Sequence, residues 1–170
     1  NPFASVNCAD LGDVPPNPID IHDSLDRVTR FYSNLKAQNI TPMTAGGDHL
    51  VTLPILRALA VDAPVGLIQF DSHTDLFDSY FRGNKFTHGT PFRRAIEEGL
   101  VDPKRFVQIG IRGTAYNTED IDWGLDQGVR IIRVEELFER GIRDVMAEVR
   151  EIVGLQPTYC TYDIDFVDPT

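Results

Sequence analysis

The run Gly66-Leu67-Ile68-Gln69-Phe70-Asp71-Ser72-His73-Thr74-Asp75 constrains this chain more than any other, because an apolar stretch of strand length ends in three metal-type ligands spaced by two. Side chains of an extended strand alternate between faces, so residues two apart point the same way. Asp71, His73 and Asp75 therefore converge on one centre if the extended conformation persists. Two further segments answer this one. Gly46-Gly47-Asp48-His49 lies upstream, and Tyr162-Asp163-Ile164-Asp165 carries the same alternating spacing near the far end.

The rest of the chain supplies a frame in which these segments can meet. A strand-like phrase over 4–10 is followed by the rigid loop Val14-Pro15-Pro16-Asn17-Pro18, where proline fixes φ and removes donors. From about 20 to 38, Ile21, Leu25, Val28, Phe31, Tyr32 and Leu35 recur at three and four, which predicts an amphipathic helix. A short buried strand at 43–45 leads into Gly46-Gly47, and a helix follows over 50–60 with Pro54 in its first turn. After the central strand at 65–70, residues 76–87 have no clear period and form a surface loop. Thr90 in N-cap position and Pro91 at the first helical position open a helix over 91–98. Strands at 106–111, 129–134 and 158–164 alternate with helices at 119–127 and 142–153. Such alternation implies an α/β fold, a three-layer α/β/α arrangement around a mostly parallel sheet. Nothing in the 170 residues calls for a second domain, so 1–170 is expected to be one. The chain opens without Met and stops at Asp168-Pro169-Thr170, where a loop should begin, which reads as a segment of a longer polypeptide.

In a parallel sheet, ligands gather at the carboxyl ends of strands, and His49, Asp71, His73, Asp75, Asp163 and Asp165 all fall at such ends. Any one of these Asp residues alone is as well explained as a cap or turn former. Their joint placement is different, since four carboxylates brought together without cations suffer desolvation and mutual repulsion. Mixed carboxylate and imidazole ligation suits Mn2+, with Ni2+ or Co2+ as replacements. Two such ions would neutralise the four Asp, and a water between them would have its pKa drawn toward neutrality. Hydrolysis of a planar, resonance-stabilised carbon follows as natural chemistry.

Charge and cysteine content exclude other classes. With 16 basic against 26 acidic side chains the formal charge is −10, so a polyanion such as nucleic acid would be repelled. No apolar run reaches the length of a membrane span, and the first residues lack a signal-peptide pattern, so no membrane partner is expected. Cys8 and Cys160 are too few and too distant for a disulfide framework or a thiolate zinc site, which fits a reducing cytoplasm.

Gly46-Gly47-Asp48-His49, Phe70-Asp71-Ser72-His73-Thr74-Asp75, Thr87-His88-Gly89-Thr90-Pro91-Phe92 and Asp163-Ile164-Asp165-Phe166-Val167-Asp168-Pro169 together resemble the motifs of the ureohydrolase family. That family comprises arginase, agmatinase and their guanidino-acid relatives. The similarity is greatest to the agmatinase and guanidinobutyrase branch, helped by Gly99-Leu100-Val101-Asp102-Pro103-Lys104-Arg105 and Gln108-Ile109-Gly110-Ile111-Arg112. The resemblance implies one metal on His49, Asp71, Asp75 and Asp163, and another on Asp71, His73, Asp163 and Asp165, with Asp71 and Asp163 bridging. It places Asp75 in the catalytic centre and makes His88 the proton shuttle, a role suited to a side chain that exchanges protons near neutral pH. The implied reaction converts a guanidino compound to an amine and urea, the substrate being a guanidino acid such as guanidinobutanoate or guanidinopropanoate, or agmatine. Free guanidine as substrate and an inactive metal-binding subunit are the alternatives. The resemblance also implies a homo-oligomer, a trimer or hexamer.

Some positions depart from the pattern. Gln69 and Ser72 stand where members often have His and Ala, and the loop over 76–87 lacks the phrase with which arginases hold the amino-acid end of arginine. The acid that receives the guanidinium is expected beyond Thr170. Within the loop, Tyr80, Arg82 and Lys85 are expected to meet the substrate's tail, the two cations pairing with a carboxylate and repelling an amine.

Overall fold

The computed structural model describes residues 5–113 and 118–167. Its centre is a four-stranded sheet in the order β3-β2-β1-β4, every pair parallel. The strands are β1 (Val65–Phe70), β2 (Val101–Ile111), β3 (Arg130–Arg133) and β4 (Thr158–Tyr162). β1 has a neighbour on each side, and its Gln69 lies in register with Gln108 of β2 and Thr161 of β4. That register brings three polar side chains to one level of the sheet, directly below the first ligand residue.

Helices cover both faces. In order they are α1 (Ile21–Ala37), α2 (Thr52–Leu59), α3 (Pro91–Glu97), α4 (Glu119–Gln127), α5 (Val134–Arg140) and α6 (Ile142–Val153). Asp20 caps α1 by accepting from the backbone N–H groups of His22 and Asp23, which satisfies donors that no helical carbonyl reaches. α1 buries Tyr32 and Leu35 against Ile55 and Ala58 of α2. On one side of the sheet, Leu53, Leu67, Phe92 and Phe106 share a core. On the other, Val107 and Ile109 of β2 meet Val145, Val149 and Val153, the apolar stripe of α6. The alternation breaks between Ile109 and Ile111, where the β2–β3 register shifts and Gly110 takes φ 94. Ile111 consequently joins the same core as Phe106.

The expected parallel sheet between helical layers therefore holds, with five local differences. Ser5 to Asp10 are exposed and outside the sheet, while Ala4 lies outside the described residues. Met43 to Ala45 form no strand either: Met43 is fully exposed, and only Thr44 is anchored, its Oγ1 2.6 Å from Tyr32 Oη. Among the described residues they pair with no strand of the β3-β2-β1-β4 sheet, so an extended conformation gains them no ladder hydrogen bonds. β2 begins five residues earlier than its apolar run, at Val101. The charged segment Val134–Arg140 is helical although it buries no residue, because Glu136 and Arg140 pair one turn apart and Arg130 and Glu148 complete the network. Thr90 occupies the N-cap position of α3 without capping; its hydroxyl donates instead to Lys85 O at 2.8 Å and tethers the preceding loop. No helix among the described residues is long and apolar enough to cross a membrane.

Candidate metal centre

The ligands converge by a turn rather than by a continued strand. β1 ends at Phe70, and Asp75 lies at φ 51, in the left-handed region that an Asp tolerates better than most residues. Had extension persisted, His73 would share the buried setting of Asp71 and Asp75. Instead Asp71 is 1 % exposed and Asp75 is buried, whereas the His73 side chain is 52 % exposed.

His49 starts a short turn whose first N–H is capped by Asp48, Oδ1 accepting from Leu50 N at 2.8 Å. Its ring stands edge-on to Phe92 with centroids 5.1 Å apart, and its Nε2 lies 2.9 Å from Thr161 Oγ1 on β4. This leaves Nδ1 aimed at carboxylates: Asp75 Oδ2 at 2.8 Å, Asp71 Oδ2 at 3.1 Å and Asp163 Oδ2 at 3.6 Å. A second group forms on the other oxygen of Asp71. His73 Nδ1 is 3.7 Å from Asp71 Oδ1 and 2.9 Å from Asp165 Oδ2. The backbone locks this group, since Ser72 N donates to Asp165 Oδ1 at 3.0 Å and Asp165 N donates to Asp163 Oδ1 at 3.0 Å. Arg112 Nη2 donates to Asp165 O at 2.6 Å and holds the turn from outside.

Two sets of ligand atoms thus each lie within 4.8 Å: His49, Asp71 and Asp75, and Asp71, His73 and Asp165. Asp71 belongs to both, one oxygen turned to each. Asp163 approaches the first set through Oδ2 and supports the second through its bond to Asp165. The fit to cations is visible in His49 Nδ1, which is buried and makes no hydrogen bond although three carboxylates surround it. A nitrogen lone pair and carboxylate oxygens collected without a good hydrogen bond suit a divalent ion of intermediate hardness.

Without cations, protons neutralise the site. Burial opposes charge on His49, but the nearby Asp71 and Asp75 carboxylates prevail and push its pKa up to about 10. The Asp71 carboxylate raises His73 to about 9 despite partial burial. Burial drives Asp75 up to about 6 against the pull of His49. Burial would raise Asp71, but the imidazoles of His49 and His73 face its carboxylate and keep it well below the usual carboxylate range. A divalent ion entering either set would therefore displace protons.

The remaining expected residues lie outside both sets. His88 is exposed, its ring edge-on to Tyr80 at 5.6 Å and to Phe81 at 5.7 Å. Tyr80 is fixed by paired backbone bonds with Asn84, each 2.8 Å, and borders a cavity of about 230 Å³ with Phe77, Asp78, Arg93 and Asp120. Arg82 and Lys85 do not line that cavity. Arg82 is exposed at φ 63, and Lys85 Nζ lies 3.6 Å from Asp78 Oδ1, which Arg94 also holds at 3.0 Å.

Several contributors were not anticipated. Thr161 orients His49, Arg112 fixes the second turn, and Gly113 packs where a Cβ would stand 2.5 Å from His73 Cδ2. Gln108, an amide inside an apolar strand, was the one visible signal, since a buried amide demands partners.

The sequence matches the Arginase family over residues 1–170. It is 52% identical over 168 residues to guanidinopropionase from Pseudomonas aeruginosa, covering 99% of this chain and 53% of that protein. Guanidinobutyrase from the same organism is 45% identical over 169 residues, again covering 99% of this chain and 53% of the relative. The solved structure of proclavaminate amidino hydrolase from Streptomyces clavuligerus superposes with a TM-score of 0.87 at 36% identity, covering 98% of this chain and 56% of that one. The chain spans about half the length of these relatives.

Proposed function

We propose that this chain, which belongs to the arginase family, carries the metal-holding part of an amidinohydrolase that cleaves a guanidino compound to an amine and urea. One observation carries the reading: a single buried carboxylate, Asp71, presents one oxygen to each of two ligand sets. Two manganese ions, or nickel or cobalt in their place, would be held by His49, Asp71, Asp75 and Asp163 and by Asp71, His73, Asp163 and Asp165. Ions held there supply Lewis acidity and bring the pKa of water toward neutrality.

The chain's own residues do the rest. The Asp side chains offset the cations' charge, and the Thr161 bond at Nε2 keeps the Nδ1 of His49 turned inward. His88, exposed and edge-on to Tyr80 and Phe81, carries a proton to the leaving amine nitrogen. The guanidino substrate is a small molecule, and the preferred class is a guanidino acid rather than agmatine. The names of the two Pseudomonas relatives support that class, as does the exposed Arg82, the loop cation not drawn to Asp78. A homo-oligomer, trimer or hexamer, in the cytoplasm completes the proposal.

The test is urea release by the manganese-loaded intact protein from guanidinopropanoate, guanidinobutanoate, agmatine and guanidine. A guanidino acid should give the highest kcat/KM, and Arg82→Ala should raise its KM while leaving agmatine turnover unchanged. Absence of urea from all four would overturn the reading, and equal use of acid and agmatine would overturn the selectivity.

A further inference from the structure

Beneath the ligand turn lies a pair of amides that the metal reading leaves unexplained. Gln69 and Gln108 are register partners on adjacent strands, and both are 0 % exposed. Gln69 Nε2 donates to Asp71 Oδ2 at 2.7 Å and to His73 O at 3.0 Å, which uses both of its protons. Its Oε1 accepts from Gln108 Nε2 at 2.6 Å, and the second proton of Gln108 goes to Thr74 O at 2.5 Å. The Thr74 hydroxyl in turn donates to the buried Asp120.

The direction of every bond is forced. A carboxylate and two backbone carbonyls can only accept, so both NH₂ groups must face the turn, and the Gln69 oxygen must face Gln108. Flipping either amide would set its oxygen against these acceptors, so both orientations are fixed even though Gln108 Oε1 is itself buried without a partner. The bonds fall on Asp71, His73 and Thr74, three of the four residues that lead into the left-handed Asp75. This covers the shared ligand, the backbone of a second ligand and the residue before a third.

We propose that the Gln69–Gln108 pair positions the ligand turn, aiming the shared carboxylate of Asp71 and holding residues 73–75 in the bend that gathers both ligand sets. Because an amide is uncharged, the pair donates to Asp71 without adding a cation that would compete with the metals for it. The inference rests on the metal reading above.

The experiment measures Mn2+ binding to the intact protein by isothermal titration well below the melting temperature, for wild type, Gln69→Leu, Gln108→Leu, the double variant and Gln69→His, with each metal-free melting temperature alongside. Each single Leu variant should bind Mn2+ roughly 10- to 100-fold more weakly, as loss of a ligand's supporting partner does. The double variant should be no worse than the weaker single, since the two amides act as one unit. Gln69→His, which restores an N–H toward Asp71, should recover binding to within a few-fold. Mn2+ affinity within twofold of wild type in the Leu variants, with only the melting temperature lowered, would show a packing role and overturn the inference. Additive losses, or no recovery with His, would also overturn it. If wild type itself binds no Mn2+, the metal reading falls, and this inference with it.

Discussion

Gly113→Ala offers a way to disable one ligand set while leaving the other in place. A Cβ on Gly113 would stand 2.5 Å from His73 Cδ2, 3.0 Å from His73 Nε2 and 2.9 Å from Ser72 O. Ordinary contact begins near 3.4 Å, so the ring must retreat by about 1 Å, well beyond the ~0.2 Å tolerance of a metal–ligand bond. The His73 side chain is half exposed, so the ring can move aside without opening a core cavity, but the Ser72 carbonyl is backbone, so the fold should lose roughly 1–3 kcal/mol. The backbone must give too. Ser72 N bonds Asp165 Oδ1 at 3.0 Å, so any shift of that peptide reaches the same ligand set. His49 and Asp75, which the new methyl does not touch, keep their arrangement. Metal counted after dialysis against dilute manganese should fall from two ions per chain toward one, with the retained ion bound as in wild type. Two ions held at wild-type affinity, or both lost together, would refute the division into two sets sharing Asp71.

Three other outcomes follow from the same geometry. His88→Ala should lower urea turnover by roughly 10² to 10⁴ with metal content unchanged, because His88 lies outside both sets; loss of metal on elemental analysis would make it a ligand. Gly110→Ala should lower stability by roughly 1–3 kcal/mol, since φ is 94 and the new Cβ would stand 2.5 Å from Phe166 Cε2; an unchanged thermal midpoint would contradict it. In the metal-free protein, His49 and His73 hold protons to about 10 and about 9 against an ordinary 6.5. Their contribution to stability is fully present below 6.5 and is lost as pH rises through 9 to 10. Metal must displace those protons, so manganese affinity should climb with pH from 7 to 9, and calorimetry at pH 7 in buffers of different ionisation enthalpy should detect proton release. A pH-independent affinity would rule this out.

The parts of the fold legible from sequence are those with a strong period. The helix containing Leu25, Tyr32 and Leu35 and the strand ending at Phe70 are found within a residue or so of their expected bounds. What failed depended on neighbours. Met43 to Ala45 have strand-like side chains, but strand formation needs a partner edge, and among the described residues they pair with none. Val134–Arg140 has only a short apolar stripe, with Leu137 partly buried against the core and Phe138 exposed, and is held by ion pairs to residues on β3 and α6, which no local pattern reveals. At the site, which side chains gather into the two sets was legible because the donor chemistry is written in them. The route to convergence was not, since the left-handed Asp75 is imposed by bonds from Gln69 and Gln108, one of them on another strand. The loop over 76–87 was the least legible. Lys85 and Arg82 look equivalent in sequence and both are exposed, yet Asp78 pairs with Lys85.

Urea release from a guanidino acid, measured as manganese is added stepwise to metal-free intact protein with bound metal counted in the same samples, tests the two-ion account most directly. Little urea should form while the first equivalent binds, and turnover should rise as the second fills, reaching its maximum at two ions per chain. Full turnover at one ion per chain, or urea release that ignores manganese altogether, would contradict it.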